Sequence, residues 1–142
     1  MNEHKKQFLD LLLLADESER MIDKYLERGE LFALYDNELK SVCVVTDESA
    51  DTCELKNIAT YETSHGMGYG SKLIQYISSF YQDRYRYMIV GTGDVPRSLR
   101  FYEKNGFYLF DRLQNFFTDN YDHPMFEDGV QLVDMVYLKK EL

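Results

Sequence analysis

His65-Gly66-Met67-Gly68-Tyr69-Gly70-Ser71-Lys72 is the stretch that decides how this chain folds. Before it, Cys53 to Tyr61 alternates weakly around Leu55, Ile58 and Ala59, as a strand does; after it, Leu73, Ile74, Ile77, Phe80 and Tyr81 recur at helical spacing. The order is strand, glycine-rich turn, helix. Glycines let the backbone turn tightly and bring several N–H groups toward one point, and the helix N-terminus adds its partial positive charge. Such a turn suits a pyrophosphate. Two nucleotide signatures fail on spacing: a dinucleotide fingerprint needs a third glycine beyond Gly70, and a P-loop needs Gly-Lys-Ser/Thr where this chain has Gly70-Ser71-Lys72. On the loop alone, a plain strand-to-helix turn with no ligand remains an open reading.

Working outward, Tyr87-Met88-Ile89-Val90 reads as a second short strand, Pro96 suits the first turn of a second helix, and Gly106 after Asn105 stops it. Upstream, apolar residues from Lys6 to Ala15 share one side of a helical wheel. Met21, Ile22, Tyr25 and Leu26 predict another helix, capped by Asp16 or Ser18 and ended by Gly29. Leu31 to Tyr35, Asp36-Asn37 and Leu39 to Thr46 predict a hairpin, and the acidic segment Asp47 to Asp51 a loop. Phe107 to Phe110 and Val133 to Leu138 read as closing strands. The expected class is α/β, with antiparallel hairpins flanking two βα units.

With 142 residues, 44% of them hydrophobic, the chain is expected to form one domain over residues 1–142. Eight glycines and two prolines exclude collagen-like and low-complexity classes. A net charge of −9 repels phosphate backbones, so neither nucleic acid nor an anionic membrane is an expected partner. Cys43 and Cys53 are too far apart for a CxxC pair and have no nearby His, so no metal site is expected, and both read as buried thiols of a cytoplasmic protein. Asp10 interrupts the only signal-like run, Phe8 to Ala15, and no apolar stretch approaches the ~20 residues of a membrane span.

The second unit carries Gly91-Thr92-Gly93-Asp94 and then Ser98-Leu99-Arg100-Phe101-Tyr102-Glu103-Lys104-Asn105-Gly106-Phe107. With the glycine-rich stretch, this resembles the GCN5-related N-acetyltransferase (GNAT) family, and within it a small bacterial branch. The family's first motif is Gln or Arg, two residues, Gly, one residue, Gly or Ala. Gly68 and Gly70 match it, with His65 in place of Gln or Arg. Its second, Phe-Tyr-x-x-x-Gly-Phe, is matched by Phe101, Tyr102, Gly106 and Phe107, and Glu54 to Ala59 resembles its central strand. The likeness covers roughly Glu30 to the C-terminus. Two departures stand out: the strand that usually opens the fold is absent or very short before Lys6, and Asp94 stands where Asn is common.

The resemblance implies a mixed, mostly antiparallel sheet flanked by helices and splayed to leave a slot for acetyl-CoA as co-substrate. It implies transfer of the acetyl group to a primary amine of a small molecule or peptide by direct attack in a ternary complex, and a homodimer is compatible with it. Backbone N–H groups of His65, Gly66, Met67, Gly68, Tyr69, Gly70 and Ser71 would hold the pyrophosphate. Ile58, Ala59 and Thr60 would pair with the pantetheine arm as an added strand would, and Asp94 and Ser98 lie beside it. Tyr102 matches the family's donor to the leaving thiolate. A non-catalytic acyl-CoA-binding regulator is the rival reading.

Read as residues, these candidates have plainer alternatives. Tyr102 next to Phe101 on an amphipathic helix is also a core tyrosine. Glu54 at a strand entry could accept the amine's proton, or be a solvated strand end while Asn57 or a water chain serves instead. His65 fits loop structure better than catalysis, and spacing reveals no partner for His4 or His123. Phe116 to Gly129 mixes aromatics with Asp119, Asp122, Glu127 and Asp128, which suits a cationic ligand and equally a self-packed surface loop.

Overall fold

A computed structural model describes residues 5–16 and 18–142. His4 and the stretch before Lys5, where an opening strand was expected to be missing, lie outside the described residues. Two helices begin it: Leu9–Ala15 (α1), preceded by one 3-10 turn, and Glu19–Leu26 (α2). Ser18 is the cap, its hydroxyl accepting the Met21 N–H at 3.3 Å. The end of α2 is held by Lys5, whose buried ammonium donates to the carbonyls of Leu26 and Glu27, both at 2.9 Å, and of Gly29.

The predicted hairpin is present as Glu30–Asp36 (β1) and Glu38–Asp47 (β2), with Asn37 at φ 68° in the turn. Thr52–Thr60 (β3), Tyr69–Tyr81 (α3), Tyr87–Gly93 (β4) and Pro96–Lys104 (α4) are the two βα units. Gly106, at φ 97°, closes α4: its N–H donates to the Glu103 carbonyl, and that of Phe107 to Tyr102. Tyr108–Leu113 (β5) follows. The acidic, aromatic stretch is not a loop. It forms Phe116–Asn120 (α5) and a small hairpin, Met125–Glu127 (β6) with Val130–Leu132 (β7), turned by Asp128 and Gly129 at positive φ. These elements are short, and buried Phe117, Met125 and Leu132 around Val95 hold them, which local pattern does not reveal. Met135–Glu141 (β8) ends the sheet.

The six-stranded sheet runs β1-β2-β3-β4-β8-β5, mixed and mostly antiparallel. Only β3 and β4 are parallel, and they pair only from Thr52 with Tyr87 to Leu55 with Val90. Beyond that point they separate, and the sheet splays as expected. One core, under α3 and α4, takes Cys53, Leu55, Met88, Val90, Val136 and Leu138; the other, under α1 and α2, takes Val42, Val44 and Ala59. The shift in the β2–β3 register leaves Lys56 as an extra residue in β3, so Leu55 and Asn57 face opposite cores. Among the described residues, no helix is long and apolar enough to cross a membrane.

Candidate functional site

The glycine-rich loop lies at the open end of the splay. A short turn, Glu62–Ser64, leads out of β3, and the His65 ring nitrogen Nε2 sits 2.9 Å from the Thr60 carbonyl. Since a carbonyl only accepts, Nε2 carries the hydrogen and the ring braces the loop. The N–H of His65 is taken as well, donating to Glu62 at 3.2 Å. The N–H groups of Gly66 through Ser71 donate to no described acceptor, while that of Lys72 bonds the Gly68 carbonyl at 3.0 Å. Gly66 and Gly68 have φ of 80° and 82°, and a Cβ on either would meet nothing within 4 Å. The chain thus offers a run of unused donors at the N-terminus of α3, beside open space. Met67 is exposed. The Tyr69 hydroxyl donates to Asp36 at 2.8 Å, fixing the start of α3 to the β1–β2 turn.

Gly70 differs from its neighbours. A Cβ there would lie 3.0 Å from Cζ of Phe101, so this glycine serves the packing of α3 on α4 and not the open side of the loop. Asn105 reinforces that contact, donating to the Ser71 hydroxyl at 3.1 Å.

From Lys56 onward β3 has no ladder partner on the β4 side, so Ile58, Ala59 and Thr60 present a free backbone edge to the slot. Asn57 is buried and its amide donates to the Leu12 carbonyl at 3.1 Å and the Tyr25 hydroxyl at 3.0 Å, committing it to the packing of α1 and α2. Tyr102 is buried between Phe101 and Phe107, with ring centroids at 5.1 and 5.7 Å. Burial, and then the Glu127 carboxylate, push its hydroxyl well above the usual range. No described residue hydrogen-bonds that hydroxyl.

Glu54 is buried, not a solvated strand end. Burial raises its carboxyl above the ordinary value, and Lys56, 3.2 Å away, opposes the shift without cancelling it. Asp94 is tied to Arg112 at 3.0 Å, and Arg112 also holds Asp134 at 2.9 Å. A carboxylate beside the slot therefore has a fixed counter-charge, from Arg112 of β5, two residues beyond the strand expected to end at Phe110. Ser98 donates its hydroxyl to Glu127.

Of the tail residues, Tyr121 donates to Asp16 at 2.7 Å and Asp122 lies 2.6 Å from His123. The Phe117 ring packs on both Phe116 and Tyr121, and the tail is anchored outside itself, on Val95 and Asp16. Both cysteines are buried, and burial pushes the thiols up, that of Cys53 to about 12.

Against known proteins, a family profile described as an acetyltransferase (GNAT) domain matches residues 27–109. An uncharacterised N-acetyltransferase of Bacillus subtilis, YvbK, is 36% identical over 143 residues, spanning 99% of this chain and 92% of that protein. A GNAT family acetyltransferase from Elizabethkingia anophelis, solved with acetyl-CoA bound, superposes with a TM-score of 0.89 at 39% identity, covering 94% of this chain and 90% of that one. A Bacillus subtilis acetyltransferase in complex with CoA gives the same TM-score, 0.89, at 35% identity over 100% and 95% of the two chains. The splayed sheet, its glycine-rich loop and these relatives agree: the chain belongs to the GNAT acetyltransferase family.

Proposed function

We propose that this chain transfers the acetyl group of acetyl-CoA to a primary amine of a small molecule or peptide, by direct attack in a ternary complex. The observation that carries this reading is the end of the β3–β4 ladder after Leu55 and Val90, directly below a loop whose N–H groups from Gly66 to Ser71 are unused. Those groups and the α3 dipole fit a pyrophosphate. The N–H of His65, already bonded, contributes through the loop's shape. Ile58, Ala59 and Thr60 fit an extended arm that pairs as a strand, and Asp94, neutralised by Arg112, would not repel it. Ser98, in the first turn of α4 with its hydroxyl proton given to Glu127, would border the same arm.

Acetyl-CoA supplies an activated carbonyl. A cationic amine first gives one proton to solvent to become a neutral nucleophile, and Glu54, its carboxyl raised by burial, takes the second as the nitrogen attacks. As the nitrogen bonds the carbonyl carbon, the C–S bond breaks and sulfur receives the Tyr102 proton. Tyr102 recovers a proton from solvent, and Glu54 returns its own there. Neither cysteine is exposed or acidic enough to carry the acetyl group, which supports direct attack over a covalent relay.

The test is turnover of acetyl-CoA with a panel of amines, read as free CoA and as acetylated product by mass. Acetylated amine is expected. Tight acetyl-CoA binding without turnover of any amine would favour the regulator, and no binding would end both readings.

A further inference from the structure

The two faces of the slot are chemically different. Gly91 is the first β4 residue past the last β3–β4 pair, and Tyr137 of β8 stands directly across from it. A Cβ on Gly91 would lie 3.0 and 3.1 Å from Cε1 and Cζ of Tyr137 and 2.7 Å from Sδ of Met135. The tyrosine ring therefore lies over the backbone where the strands begin to part. Met88, Val90, Val136 and Leu138 enter the core with Tyr102, so by strand alternation Ile89, Gly91 and Tyr137 point to the other face. Glu54 is in register with Ile89, between Cys53 and Leu55 of that same core, and so shares this other face. Tyr102 thus borders the slot from one side, and Glu54 and Tyr137 border it from the opposite side.

Tyr137 is half-buried, yet no described residue hydrogen-bonds its hydroxyl. Its ring packs on Phe110 with centroids 6.4 Å apart, and Lys139 lies 4.7 Å over Phe110 and 4.6 Å over Tyr87. No described cation lies over Tyr137 itself. Burial, and then the carboxylates of Glu54, Glu48 and Asp111, raise the hydroxyl to about 12, so it stays neutral. Lys56 and Arg28 are already paired with Glu54 and Glu48.

We propose that Tyr137 is an acceptor-binding residue. It seats a cationic primary amine over Gly91, between its ring and hydroxyl on one side and the Glu54 carboxylate on the other. The amine then enters the slot from the face opposite Tyr102, so nucleophile and leaving thiol occupy different sides of the sheet. This places the acceptor site on the sheet face and not in the acidic tail, and it rests on the acetyl-transfer reading above.

The experiment uses the full chain with acetyl-CoA and three probes: tyramine, spermidine and a lysine-bearing peptide. For whichever probe the wild type acetylates, Tyr137→Phe should raise the amine KM by about tenfold, the worth of one hydrogen bond. Its kcat, its acetyl-CoA KM and its melting temperature should stay within error. Gly91→Ala, which pushes the ring aside and removes no functional group, should raise the same KM. An unchanged amine KM in Tyr137→Phe, or a loss confined to acetyl-CoA KM or to melting temperature, would overturn the assignment. A wild type that binds acetyl-CoA and acetylates none of the probes would instead defeat the reading on which it rests.

Discussion

Gly70 and Phe101 touch so closely that a single added methyl on the glycine would sit 3.0 Å from the ring. One residue belongs to the glycine-rich motif and the other to the motif on α4, so the two signatures are joined by packing. Gly70→Val should lower stability by about 1–3 kcal/mol, as overpacking does. Combining it with Phe101→Ala should restore part of that loss, a coupling that thermal or urea denaturation of the single and double variants measures.

Gly68 carries a different constraint. At φ 82° it occupies left-handed backbone, where a side chain costs roughly 1–2 kcal/mol, and a carboxylate there would oppose a pyrophosphate. Gly68→Asp should leave the domain folded and abolish acetyl-CoA binding by calorimetry, while Gly68→Asn, which tolerates this backbone better, should retain much of it. Equal affinity in Gly68→Asp and wild type would remove the loop from the binding site.

Tyr102→Phe deletes a hydroxyl that no described residue bonds, so melting temperature should not fall. General acids contribute ~10²- to 10⁴-fold, and the loss should appear in kcat and not in KM for acetyl-CoA. An unchanged kcat, with chemistry shown to limit the rate, would make Tyr102 a packing residue.

Glu54 pits stability against activity. Its folded carboxyl binds a proton more tightly than the unfolded one, so stability falls as pH rises from the ordinary carboxylate value through the raised one. At neutral pH the ionised side chain is therefore a net cost. Glu54→Gln should raise the melting temperature at neutral pH, with the gain vanishing below about pH 4. Turnover should drop ~10²- to 10⁴-fold. A variant that is less stable at neutral pH would contradict the burial argument.

Lys5 closes α2 with three carbonyls as partners. Lys5→Met keeps most of the apolar stem and removes the donors, so it should cost about 2 kcal/mol or more, given the strength of charged hydrogen bonds. Thermal melts at neutral pH check this.

What could be read in advance followed local rules. The β1–β2 hairpin, a cap at Asp16 or Ser18, the stop at Gly106 and the turn between β3 and α3 each depend on residues within a few positions of one another. The splay and the family followed from two such units taken together. What escaped depends on distant partners. Five-residue α5 and the three-residue strands β6 and β7 exist because Phe117, Met125 and Leu132 close around Val95. Gly70 read as a loop glycine because its true neighbour, Phe101, is on another helix. Nothing in Tyr137 or Arg112 distinguishes them in sequence from ordinary strand residues, and only the register brings them to the slot.

The short β3–β4 ladder also has a mechanical consequence. Between the β1-β2-β3 half of the sheet and the β4-β8-β5 half, the described strand ladder runs just from Thr52–Tyr87 to Leu55–Val90. An extended ligand that pairs with the free edge beyond Leu55 lengthens that seam, turning a hinge line into continuous sheet. Amides flanking the seam would then exchange with solvent more slowly once the donor is seated.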